Sequence, residues 1–156
     1  MAITFTLNGA SVTLDMRGDV SLLAALREQV SLAGPRFGCG AETCGACHVL
    51  LDGASVPSCM LTLAAVAGRT VTTVEGLGSE TDPHPLQKAF LAEQAGQCGY
   101  CLSGILMSAA ALLSANPAPD DAMIRKALDG HLCRCGSHNR IVRAVQRAAA
   151  EMGKRA

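Results

Sequence analysis

Gly38-Cys39-Gly40-Ala41-Glu42-Thr43-Cys44-Gly45-Ala46-Cys47 decides how this chain is read. Three cysteines share one glycine-rich loop, and Cys59 completes a quartet written C-x4-C-x2-C-x11-C. A second quartet follows: Cys98, Cys101, Cys133 and Cys135, written C-x2-C-x31-C-x-C. The chain has eight cysteines, so none is left over. Disulfides are one use of paired cysteines, but they belong to oxidising compartments. The opening stretch MAITFTLNGA lacks the basic segment and long apolar run of a secretory signal. Cys44 and Cys47 also sit too tightly around Gly45 to look like staples between distant segments.

Metal binding explains the spacing better. C-x4-C-x2-C with a distant fourth cysteine is the plant-type ferredoxin pattern, in which four thiolates hold a [2Fe–2S] cluster. All-cysteine zinc sites usually set two C-x2-C pairs apart, and neither quartet does so. The C-x-C of the second quartet still leaves zinc open there. A four-thiolate cluster is an anion, and backbone N–H groups aimed at its sulfurs stabilise it. Glycine lets the backbone come close and take positive φ. Gly38, Gly40 and Gly45 surround the first cysteines, Gly99 lies between Cys98 and Cys101, and Gly136 follows Cys135.

Composition narrows the partners. Formal net charge is zero and charged residues make up 17%, which argues against nucleic acid. Hydrophobic residues make up 49%, so apolar surface is expected to be hidden in a protein partner. There is no Trp, one Tyr and three Phe, which removes base-stacking platforms and most ways to stack a flavin. No apolar run reaches the length of a membrane span; the longest, around Ala109 to Leu113, is interrupted by Ser108 and Ser114.

The chain changes character near residue 80. Ile3 to Leu7 alternates and meets the hairpin signal Asn8-Gly9, with Val12 to Leu14 returning. Ser21 can cap a helix over Leu22 to Val30, with Leu23, Leu26 and Val30 on one face. Val49 to Leu51, Val56 to Cys59 and Thr70 to Val74 read as further strands, the first two joined at Asp52-Gly53. This is a β-grasp arrangement over residues 1–75. Residues 76–83 read as a linker. Residues 84–156 read as four helices, a small bundle. Leu86, Phe90 and Leu91 are expected inward on the first of these helices. Leu102, Ile105, Leu106, Ala109, Leu112 and Leu113 form a stripe on the second, closed by Asn116-Pro117. Pro119 and Asp120 open the third, with Met123, Ile124, Ala127 and Leu128 inward; the fourth begins near Ser137 and turns Ile141, Val142, Val145 and Ala149 inward. Cys98 and Cys101 then start one helix, and Cys133 and Cys135 precede another. Both pairs can meet at one end of the bundle, where helix N-termini favour negative charge. The class expected is α+β.

GCGAETCGAC (Gly38 to Cys47), QCGYC (Gln97 to Cys101) and LCRC (Leu132 to Cys135) resemble the signatures of the iron–sulfur subunits of the molybdenum hydroxylases, the xanthine oxidase and aldehyde oxidoreductase group. The resemblance covers almost the whole chain. It implies one [2Fe–2S] cluster on each domain, with the helical one next to a molybdopterin cytosine dinucleotide in a large partner subunit. It also implies that Gln97 and Cys135 approach that pterin. His84 to Gln87 (HPLQ), Cys133 to His138 (CRCGSH), Glu75 to Ser79 (EGLGS) and Arg140 to Ala149 are most similar to the two-subunit branch that oxidises nicotinate and isoquinoline. That branch generally lacks a flavin subunit, which implies delivery of electrons to a cytochrome or another carrier, in the cytoplasm or at the inner membrane through the complex. The other readings are a freestanding two-cluster carrier, a zinc interaction module and the corresponding part of a molybdenum aldehyde dehydrogenase. His48 and Glu42-Thr43 depart from the family pattern and should retune hydrogen bonds around the first cluster.

No residue resembles a catalytic base or a molybdenum ligand. With both quartets complete, His48, His84, His131 and His138 are not expected as iron ligands. His48 and His131 stand near ligand cysteines and can support them or simply pack. Arg140, Arg143 and Arg147 form a helical row, either a solvated face or a docking face. Arg134, between two cysteines, would offset cluster charge and raise a potential.

Overall fold

The computed structural model of the chain describes residues 2–154. Strands β1 (Ala2–Leu7) and β2 (Ala10–Asp15) pair antiparallel around Asn8 and Gly9, both at positive φ. Such a turn matches the twist of its flanking strands. Ser21 caps α1 (Leu22–Glu28), its hydroxyl accepting the Ala24 N–H at 3.2 Å. Strands β3 (His48–Leu51) and β4 (Ala54–Pro57) form a second hairpin around Asp52 and Gly53. β5 (Thr70–Thr72) lies parallel to β1 and antiparallel to β3, which closes a mixed sheet of order β2-β1-β5-β3-β4. Alternation along β1 sends Ile3, Phe5 and Leu7 to one face, where they meet Leu22, Ala25 and Leu26 of α1. The sheet and its covering helix make the expected β-grasp.

The helical part comprises α2 (Pro85–Ala92), α3 (Leu102–Ala115), α4 (Asp121–Leu128) and α5 (His138–Gly153). His84 caps α2: its Nδ1 accepts the Leu86 N–H at 3.1 Å, while the Gln87 side chain accepts the His84 N–H at 2.8 Å. Asp120 caps α4 through the Met123 N–H at 2.7 Å. Leu86, Phe90, Ile105, Ala109, Leu113, Ile124, Leu128, Ile141 and Val145 share one core. Each large aliphatic side chain buried there contributes roughly 1.5–3 kcal/mol.

α3 departs from a one-sided stripe. It is buried without interruption from Ser103 to Ala110, because β3 and β4 cover the side that the other helices leave open. Gly104 makes this possible: a Cβ there would lie 1.9 Å from the Gly45 carbonyl oxygen. Val74 and Leu77 also pack on the helical core, so the segment after β5 is anchored rather than loose.

Two expected core residues face outward. Leu91 is 78% exposed, since α2 presents Leu86, Ala89 and Phe90 inward and Leu91 falls beside that stripe. Met123 is 48% exposed, since only Ile124 and Leu128 of α4 are fully buried. α1 ends at Glu28, ahead of the expected Val30, and β5 ends at Thr72, with Val74 in a short 3-10 turn. The arginine row lies on an exposed face, as one of its two expected roles requires. Arg143 and Arg147 reach Glu93 at the end of α2, at 3.4 and 3.1 Å, and Arg140 donates to the Gln94 carbonyl at 3.4 Å. The row ties α5 to the end of α2.

Candidate metal centres

The loop that carries the first quartet is pinned at its base, where the Arg36 N–H donates to the Ala46 carbonyl at 3.1 Å. Its glycines are there for room. A Cβ at Gly38 would lie 2.6 Å from the Cys44 sulfur, and one at Gly45, where φ is 77°, would lie 2.2 Å from His131 Nδ1. The backbone turns its donors onto sulfur. Cys39 N–H points at Cys44 Sγ at 3.3 Å; the N–H groups of Ala41 and Thr43 point at Cys39 Sγ at 3.3 and 3.2 Å. The Thr43 side chain and these two N–H groups bring the Cys39 thiol down to about 6. Cys47 is buried, and burial raises its thiol; its neighbour is Cys59. Glu42 takes φ of 60°, a left-handed conformation that costs a non-glycine residue about 1–2 kcal/mol.

The second quartet is assembled from two segments. Cys98, Gly99 and Tyr100 form a turn that leads into Cys101, the N-cap of α3. Cys133 and Cys135 come from the connection between α4 and α5. Cys135 Sγ stands 3.5 Å from Cys98 Sγ, and Cys101 adjoins Cys133. Burial, then the neighbouring Cys133 thiol, pushes the Cys101 thiol up to about 12. For Cys133, burial works upward, but backbone donors from Ser137, Cys135 and Gly136 and the Cys101 thiol outweigh it and the net shift is downward. Exposed Gln97 precedes Cys98, so it stands at the same end as half-buried Cys135.

Each quartet therefore divides into two pairs: Cys39 with Cys44, Cys47 with Cys59, Cys98 with Cys135, and Cys101 with Cys133. Among the described residues, no three metal-ligating side chains converge as a single ion requires. A tetrahedral zinc gathers four sulfurs around one centre. A [2Fe–2S] cluster has two irons, each taking two thiolates. The donor pairs fit the second arrangement. Backbone donors already favour thiolate at Cys39 and Cys133, and a bound metal would displace the proton from buried Cys47 and Cys101.

The two sites adjoin one another. A cavity of about 190 Å³ is lined by Cys44 from one quartet and by Cys98, Cys101 and Cys133 from the other, with Tyr100, Leu132 and Arg134 along it. The Leu132 N–H donates to the Cys44 carbonyl at 3.1 Å. Behind the first loop, Ser108 of α3 lies 2.7 Å from His131 Nε2, 3.3 Å from His48 Nδ1 and 2.7 Å from the Ser55 hydroxyl. The two imidazoles meet edge-on with centroids 4.7 Å apart. Burial, with His48 nearby, brings His131 down to about 4, and burial lowers His48, so both are neutral near pH 7. They brace the junction between the two units. Sequence reading missed Ser55, Ser108 and Gly104 in this role; the one available signal was a glycine and three serines within an otherwise apolar helix.

Two family models match in tandem: the 2Fe–2S iron–sulfur cluster binding domain over residues 5–73 and the [2Fe–2S] binding domain over residues 73–146. The chain is 51% identical over 147 residues to one of the subunits of nicotinate dehydrogenase from Pseudomonas putida, covering 94% of each chain. It is 50% identical over 150 residues to the alpha chain of isoquinoline 1-oxidoreductase from Brevundimonas diminuta, covering 96% of this chain and 98% of that one. Its fold superposes on a chain in the crystal structure of quinoline 2-oxidoreductase from Pseudomonas putida 86 with a TM-score of 0.94. Identity there is 37%, over 99% of this chain and 96% of the other.

Proposed function

We propose, for a chain that belongs to the [2Fe–2S] iron–sulfur small subunits of the molybdenum hydroxylases, that it relays electrons from a partner's molybdenum centre to an external acceptor. The observation that carries this reading is the division of eight cysteines into two adjoining sets of paired thiols. Cys39, Cys44, Cys47 and Cys59 would hold one cluster, and Cys98, Cys101, Cys133 and Cys135 the other. When bound, each cluster supplies reversible one-electron chemistry at a potential set by hydrogen bonds and burial. The chain's own residues shape that environment. The Ala41 and Thr43 amides favour thiolate at Cys39, and those of Cys135, Gly136 and Ser137 do so at Cys133. Residues 1–75 and 84–156 form the two cluster-bearing domains, joined through 76–83.

The entry side is the helical site. Gln97 and Cys135 stand at one end of the bundle, where they can approach a molybdopterin cytosine dinucleotide in the large subunit. The exit side is the Cys39 loop, on the sheet-bearing domain. The substrate class is an N-heterocycle such as nicotinate, supported by the names of the two relatives of about half identity. The acceptor is a cytochrome or a comparable carrier. The complex works in the cytoplasm or at the inner membrane; among the described residues no helix is long and apolar enough to cross a membrane.

Iron and acid-labile sulfide analysis of anaerobically purified protein tests the reading. Two [2Fe–2S] clusters require about four of each per chain. Zinc in place of iron, or half the iron, contradicts it. Co-purification with a molybdenum-containing subunit, in a complex whose iron–sulfur absorption bleaches with nicotinate and not with an aldehyde, tests the substrate class.

A further inference from the structure

We infer that Arg36 and Tyr100 form a clasp that fixes the spacing between the two thiol quartets, which makes both of them positioning residues for electron passage between the groups held there. The inference rests on the two-cluster reading above. Arg36 lies just ahead of Cys39, and Tyr100 lies between Cys98 and Cys101. The two side chains cross. Arg36 Nη1 donates to the Gly99 carbonyl at 2.9 Å, and the Tyr100 hydroxyl donates to the Phe37 carbonyl. Each cysteine loop thus sends a side chain to the backbone of the other. The guanidinium carbon also stands 5.2 Å from the Tyr100 ring centroid, a cation–π contact that holds the crossing together.

Both ends are anchored. The Arg36 N–H is tied to the Ala46 carbonyl at 3.1 Å, within the first cysteine loop. Gly99 accepts the Leu102 N–H at 3.2 Å at the start of α3. A shift of one loop against the other would break the clasp, and the clasp therefore resists such shifts. Tyr100 also lines the cavity between the quartets. Half of Tyr100 and more than half of Phe37 remain exposed, which is not the placement of residues that stabilise a core.

Electrostatics adds a second effect. A cluster at either site would be an anion that becomes more negative on reduction. A guanidinium stays charged at any working pH, and Arg36 places it at their junction. It offsets the repulsion that opposes reducing the second site once the first is reduced. The step it serves moves one electron: the donor site is oxidised by one, the acceptor site is reduced by one, and no bond is made or broken. Dithionite supplies the electrons in the test, as substrate does through the partner.

The test uses the purified complex carrying Tyr100→Phe, Arg36→Lys or Arg36→Ala, each with iron and sulfide measured first. EPR of the dithionite-reduced complex reads the magnetic splitting between the two reduced sites, and a redox titration reads both midpoint potentials. Tyr100→Phe should keep full iron and weaken the splitting with little change in potential. Arg36→Lys should keep the potentials, because the charge stays, and weaken the splitting, because the fork is gone. Arg36→Ala should weaken the splitting and lower both potentials; if it loses iron, the other two variants decide. Full iron with wild-type splitting in both Tyr100→Phe and Arg36→Lys overturns the clasp, as does a wild-type complex with full iron and no splitting. A wild-type complex without iron fails the two-cluster reading itself, a distinguishable result.

Discussion

The two cysteine quartets reach similar ends by different routes. The first sits mainly on one loop of adjacent residues, and local backbone geometry aims N–H groups at its sulfurs. The second is built from the start of α3 and the connection before α5, which only the packing of the helices brings together. A site made by one loop survives as long as that loop keeps its turns. A site made by tertiary packing also stabilises that packing, since the metal crosslinks what it joins.

Removal of one ligand from each site should show this contrast at its largest. Cys133→Ser is expected to open the helical unit, with new protease cleavage between Leu86 and Ala149, while β1 to β5 stay protected. Cys39→Ser, on the exposed edge of the loop, should leave both units protected. Equal protease resistance in the two variants would remove the distinction.

The junction offers a smaller lever. Gly104→Ala would set a methyl 1.9 Å from the Gly45 carbonyl, and neither backbone can withdraw easily. Overpacking of this kind costs about 1–3 kcal/mol. Because the strain falls on the contact between α3 and the first loop, thermal unfolding should change from one transition to two. A single transition at the wild-type temperature would show that the units do not lean on each other through Gly104.

The smallest expected effect is confined to the helical unit. His84 Nδ1 accepts the Leu86 N–H and burial lowers its proton affinity. A protonated imidazole cannot accept. The folded value lies below the unfolded one near 6.5, so the unfolded state binds more protons in that interval. The cap's contribution is present above about 6.5 and is lost as pH falls through the lower folded value. Loss of a cap costs about 1 kcal/mol. Hydrogen exchange of α2 amides should accelerate accordingly as pH falls below neutrality, after correction for intrinsic rates, with no matching change in α1, which Ser21 caps. His84→Asn, which keeps an acceptor that does not titrate, should flatten that response.

Much of this was legible in the residues. The spacing of the first three cysteines, the two hairpin turns at Asn8-Gly9 and Asp52-Gly53, and the caps at Ser21 and Asp120 rest on local chemistry that spacing and residue type announce. What could not be read depends on which surfaces meet. Leu91 and Met123 are apolar residues beside an inward stripe, and nothing local says the stripe is too narrow to include them. α3 carries polar Ser103 and Ser108, yet it is buried on all sides because the sheet covers its far face. The bonds of Arg143 and Arg147 to Glu93, and the crossing of Arg36 with Tyr100, join segments far apart in sequence. Their partners become visible only when the helices are placed.

Serial passage, in through the helical site and out through the loop site, is tested most directly by Cys39→Ser in the assembled complex. The readout is low-temperature EPR after substrate reduction, alongside turnover with the external acceptor. A serial relay predicts that substrate still reduces the molybdenum centre and the helical-site cluster, whose signal persists, while transfer to the acceptor stops. Full acceptor turnover in a Cys39→Ser complex that has lost the loop-site signal would contradict it.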